Sequence, residues 1–173
     1  MEEKGMSSDQ RPANQGVTLR IAVYTVGHSN HEPHVFLGLL RQHGIELLAD
    51  VRSSPYSRYV PQANRETLAR TLQAAGIAYR WLGDRLGGKS NGVAANCDEL
   101  RASPAFQQGI AGLLALAAER RTAIMCAEGD HHQCHRYKLI TPALLDRDVH
   151  VLHIQPDGSL VDEDKEPRQL ALF

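Results

Sequence analysis

Short apolar runs alternate with helix-period segments along this chain, and that alternation constrains the fold more than any single residue does. The runs fall at Ile21 to Val26, Ile45 to Val51, Ile77 to Leu82, Thr122 to Ala127 and Val149 to Ile154. Between the first two, Val35, Phe36, Leu39 and Leu40 share one face of a segment from Pro33 to Gln42, which Gly44 stops. Asn64 is a good N-cap for the next helix, with Leu68, Leu72 and Ala75 inward and Gly76 behind it. A glycine-rich loop then runs to about Asn96, and Ser103-Pro104 opens a helix that buries Phe106, Ile110, Leu113, Leu114 and Ala117. A last helix begins near Cys134 with a kink expected at Pro142, and Pro156-Asp157-Gly158 makes a turn. This order predicts an α/β fold, a mostly parallel sheet of about five strands with helices on both faces, in a single domain at residues 19–160. Residues 1–18 read as a disordered leader and residues 161–173 as a flexible tail.

Composition narrows the function classes. Among 173 residues, 42% hydrophobic and 23% charged is ordinary for a globular protein. A net charge of −1 gives no global pull toward nucleic acid or membrane, so any nucleic-acid contact must use a local patch. No apolar run is long enough to span a bilayer, and Glu2 and Glu3 stand where a signal peptide would carry positive charge. Three cysteines, Cys97, Cys126 and Cys134, make no disulfide framework, which fits a cytoplasmic protein.

Parallel strands gather their C-terminal ends on one edge, and the polar groups of this chain follow them there. That edge collects His28 and Ser29 from strand one, Asp50, Arg52 and Ser53 from strand two, and Cys126 and Glu128 from strand four. Tyr56 and Arg58 lie in the loop beyond, and Cys134, His135 and Arg136 open the last helix. Taken together, Thr25-Val26-Gly27-His28-Ser29, Asp50-Val51-Arg52-Ser53 through Pro55 to Arg58, Leu86-Gly87-Gly88, and Cys126-Ala127-Glu128 through Cys134-His135-Arg136 resemble the signature of the domain-of-unknown-function 488 family. The resemblance implies an α/β fold and a site built from these motifs; it does not supply an activity.

Several chemistries compete for these residues. Cys126, at a strand end and near Arg136, is placed for a lowered pKa and nucleophilic attack, but nine residues separate it from Arg136, too long for a phosphatase-type cradle. Cys126, His131, Cys134 and His135 are an alternative metal set, although their spacing fits no standard zinc module, and no cofactor is otherwise expected. Glu128 and Asp50 can act as an acid–base pair with His135 or His28 as proton carriers, the reading favoured over cysteine chemistry. Asp50 and Glu128 can equally form structural salt bridges with the nearby arginines. In the favoured reading His28, Ser29, Arg52, Ser53, Arg58, Gly87, Gly88, Cys134 and Arg136 bind substrate, with Trp81, Tyr56 or Tyr59 stacking on a base. Gly83 to Ser90 matches the phosphate-loop pattern letter for letter, but Asn91-Gly92 breaks the helix that must start at Lys89, so triphosphate hydrolysis is not favoured.

The expected function is a nucleotide- or DNA-processing enzyme with an arginine-rich anion pocket, its partner a phosphate-bearing small molecule or DNA. The alternatives are a non-catalytic anion- or metal-binding module and an adaptor. The adaptor reading rests on the tail: Gln169, Leu170, Leu172 and Phe173 are similar to the peptide by which bacterial repair proteins dock onto the sliding clamp.

Overall fold

The computed structural model describes residues 20–90 and 92–163. The expected leader and the clamp-like pentapeptide lie outside the described residues. Eight strands occur among them: β1 (Ala22–Gly27), β2 (Leu47–Asp50), β3 (Ala78–Trp81), β4 (Lys89–Ser90), β5 (Val93–Ala94), β6 (Thr122–Cys126), β7 (His150–Ile154) and β8 (Leu160–Asp162). Six helices accompany them: α1 (Pro33–Gln42), α2 (Arg65–Ala74), α3 (Gly83–Leu86), α4 (Cys97–Ala102), α5 (Pro104–Glu119) and α6 (Thr141–Leu145). The main sheet runs β3-β2-β6-β1-β7-β8, parallel throughout except for β8 against β7, while β4 and β5 form a separate antiparallel hairpin.

Alternation along each strand sorts the core into two halves. Tyr24, Val26, Leu48, Ala123, Met125 and Ile154 meet α1 and α2 on one face. Val23, Leu47, Ala49, Ile124, Cys126 and Val151 meet α5 and α6 on the other. Burial on both faces is why the strands read as nearly continuous apolar runs rather than alternating ones. The helix ends also follow a shared device. Gly44 and Gly76 both take positive φ, 63° and 76°, and the next residue turns back onto the helix, Ile45 N–H to the Leu40 carbonyl and Ile77 N–H to that of Leu72. These turns consume the first residues of the expected second and third strands, which therefore start later.

Four features depart from the sequence expectation. A sixth strand, β8, closes the sheet edge, and the loop after β3 holds α3, the hairpin and α4. Asn64 is an N-cap by position, but its Oδ1 accepts from Ser57 N at 2.6 Å instead of capping α2. At the last helix a π turn at Arg136–Ile140 precedes α6. Pro142 has no N–H for the preceding turn, and the Arg136 carbonyl accepts from both the N–H and the Oγ1 of Thr141.

Candidate functional site

The connection from β1 leads past β6 to β2, and the connection from β6 leads past β1 to β7. Between these diverging connections lies the crevice where open parallel sheets place their ligands. Gly27, opposite Cys126 in register, lets it form, because a Cβ there would land on the Glu128 carbonyl. His28 N–H and Ser29 N–H then extend the ladder to the carbonyls of Cys126 and Ala127. Two adjoining hollows of about 340 and 360 Å³ open above, sharing Arg52, Ser54, Ala127 and Glu128. The first continues over Cys126, Cys134, His135 and Gly88; the second over His28, Ser29 and Tyr56.

One wall is a closed ionic network. Asp50, fully buried, accepts from Arg52 Nε at 2.9 Å and Nη2 at 2.6 Å, from Arg52 N–H, and from Tyr79 Oη at 2.7 Å. Burial and the neighbouring Asp50 push the Tyr79 phenol up. Arg52 Nη2 also donates to the Ala63 carbonyl, and Nη1 lies 3.1 Å from His28 Nε2. Because His28 Nδ1 sits 2.6 Å from the Ser29 carbonyl, the neutral ring donates there and accepts from Arg52. Burial holds His28 below its ordinary pKa. Asp50 and Arg52 thus satisfy each other, and Trp81 donates to the Arg52 carbonyl at 2.9 Å.

The opposite wall is built from sulfur. Cys126 and Cys134 bring their Sγ atoms together as a bonded pair, with Cα atoms 7.3 Å apart. Arg136, with no exposed surface, directs Nη1 to Cys126 Sγ at 3.3 Å and Nη2 to the Gly129 carbonyl at 3.3 Å. Its Nε has no hydrogen-bond partner, and no carboxylate among the described residues comes within ion-pair distance. Burial lowers the guanidinium to about 10. Arg136 N–H approaches Cys134 Sγ at 3.5 Å. His135 Nε2 is 3.0 Å from the Val51 carbonyl, so that nitrogen carries the proton and Nδ1 turns its lone pair to Cys134 Sγ, 3.6 Å away. Burial, chiefly, holds His135 below its ordinary pKa.

Glycines and a serine fix the rim. A Cβ on Gly88 would press into the His135 ring and one on Gly87 into Ser53, while Ser53 Oγ accepts from Lys89 N–H at 3.0 Å. Gly83–Leu86 form a helical turn and Lys89 begins a hairpin, so the phosphate-loop match lacks the helix it requires.

The expected site residues therefore do not meet at one point. Arg52 is committed to Asp50, and Arg136 lies beneath the surface. Arg58 stacks at 4.8 Å over Tyr59 outside both hollows. Glu128 is exposed and lines both. His131, placed by sequence among possible ligands with the cysteines, stacks instead on His153. Tyr79 and His153 were not singled out by sequence, and Thr25 was named only as part of a motif. The signal available for His153 was a histidine inside an otherwise apolar strand.

No helix among the described residues is long and apolar enough to cross a membrane. Comparison with curated proteins and with solved structures finds no match. The model of the domain of unknown function DUF488 matches residues 33–141, more than half of the chain and three of the four motifs above, so the chain belongs to the DUF488 family.

Proposed function

We propose that this protein is a thiol-dependent enzyme in which Cys126 is the nucleophile and Cys134 the resolving thiol. The observation that carries the reading is the placement of Arg136: its guanidinium, without exposed surface, lies 3.3 Å from Cys126 Sγ, where it would stabilise a thiolate once the cysteine pair is reduced. The thiolate attacks a sulfur of a substrate disulfide and releases one substrate thiolate. Cys134, giving its proton to His135 Nδ1, then attacks Cys126 Sγ and releases the second. The Cys126–Cys134 bond that remains holds the two electrons' worth of oxidation, and an external dithiol restores the pair.

Thiolate absorbance in the ultraviolet, followed against pH in the reduced protein, tests the assignment. The difference between the natural protein and Cys126→Ser should titrate well below the roughly 8.5 of a free cysteine. A midpoint at or above that value removes the nucleophile.

A second reading concerns the ligand. Tyr56 and Tyr59 are 55% and 79% exposed beside the groove, with Arg58 stacked on Tyr59, an arrangement suited to a nucleobase and its phosphate. Together with exposed Glu128 it supports the nucleotide- or DNA-processing role and acid–base work at that carboxylate. Titration with short single-stranded DNA tests it: Tyr59→Ala should weaken binding, and absence of binding to the unaltered protein ends this reading. Docking on a sliding clamp through Gln169, Leu170, Leu172 and Phe173 is a separate proposal that rests on sequence.

A further inference from the structure

Behind the sulfur wall, two buried histidines and a carboxylate face one another. His153, on β7, is fully buried, and its Nδ1 lies 2.7 Å from Thr25 Oγ1 on β1. His131, 2% exposed, stacks on it with ring centroids 4.0 Å apart, and its Nδ1 lies 3.2 Å from the Gln155 side-chain amide. Each ring thus has Nδ1 engaged and Nε2 left for the space between them. His153 Nε2 is 3.3 Å from Glu163 Oε2, and His131 Nε2 is buried with no hydrogen-bond partner. One donor atom from each of His131, His153 and Glu163 lies within 4.8 Å of the other two.

We infer that His131, His153 and Glu163 form a divalent-cation site suited to zinc, distinct from the cysteine pair. Two imidazole nitrogens and a carboxylate oxygen are a donor set that zinc takes, with a fourth position for water. A buried nitrogen without a partner is costly in the metal-free protein, and coordination removes that cost. Thr25 Oγ1 stands where the outer partner of a metal-bound His153 stands, able to accept its Nδ1 proton; Gln155, whose amide nitrogen faces His131 Nδ1 and donates to the His153 carbonyl at 3.3 Å, takes the same part for His131 when its amide turns and gives up that bond. The rings are only 12° from parallel, so coordination tips His131 out of the stack to bring both lone pairs to one point. The site would fasten the loop bearing Cys134 to β7.

The test uses the full chain, stripped with chelator and titrated with zinc, with metal content and melting temperature as readouts. The unaltered protein should retain a single zinc per chain and melt higher with it. Thr25→Val should weaken zinc by the roughly 10–100-fold that loss of an outer partner brings, and His153→Asn by more. Glu163→Gln, at the sheet edge, guards against misfolding: it should weaken zinc while the metal-free variant keeps its circular dichroism. The double variant Cys126→Ser/Cys134→Ser should bind as the unaltered protein does. Failure of the stripped protein to take up zinc, unchanged affinity in the histidine and glutamate variants, or loss of zinc in the cysteine variant alone would each overturn the site.

Discussion

Two arginines are buried on either side of the same crevice, and their surroundings differ in kind. Arg52 is 7% exposed and meets the Asp50 carboxylate through two nitrogens; Arg136 is 0% exposed and meets a sulfur, a carbonyl and nothing at Nε. Both oxygens of the Asp50 carboxylate accept from Arg52, and one also from Tyr79, so that wall holds one arrangement. The Arg136 wall faces a cysteine pair that can be oxidised or reduced, so it can exist in more than one state. On the proposed reading, that difference separates a wall that holds shape from one that does chemistry.

Breaking the first wall should have the largest effect. Asp50→Asn keeps the shape but leaves Arg52 charged and buried, a loss of about 3–5 kcal/mol measured by urea unfolding. In the reduced protein Arg136→Met should cost less than half as much, because the Cys126 sulfur it abandons can take up a proton and become neutral. The same variant should return the Cys126 titration toward about 8.5 or above, as burial without a cation demands. Equal destabilisation by the two substitutions would mean that the walls do not differ in this way.

Much of this fold was legible in the sequence because its cause is local. Pro33, Ser103-Pro104, Gly44 and Gly76 act within a few residues, and the structure places their elements where periodicity puts them. Strand β8 was not legible: Leu160 to Asp162 is short and its pairing with β7 is set by tertiary contact. At the candidate site, the motif residues lie at or just beyond strand ends, which in a parallel sheet must converge on one edge. Their internal pairings were hidden. Nothing in the spacing of Asp50 and Arg52 says whether they engage each other or a ligand, and the pairing of Tyr79 with Asp50 or Thr25 with His153 crosses between strands.

The smallest expected effect tests how closely the Arg52 wall depends on a neutral histidine. His28 is held below its ordinary value of 6.5, first by desolvation and then by the positive charge of Arg52, against opposing help from the Ser29 carbonyl and Asp50. Its folded pKa is therefore lower than its unfolded one. Above pH 6.5 neither state binds the proton, and the contribution is fully present. As pH falls below that value the unfolded chain protonates while the folded chain resists, so stability is lost toward acid, with a slope of at most about 1.4 kcal/mol per pH unit from this group. Other depressed histidines add to the same acid loss, so the informative quantity is a difference. His28→Gln keeps an oxygen able to accept from Arg52 Nη1 and cannot titrate. Unfolding free energies measured from pH 7 to pH 5 should fall less steeply in this variant than in the unaltered protein. Parallel curves would place the acid sensitivity elsewhere and leave the Arg52 wall indifferent to the charge of His28.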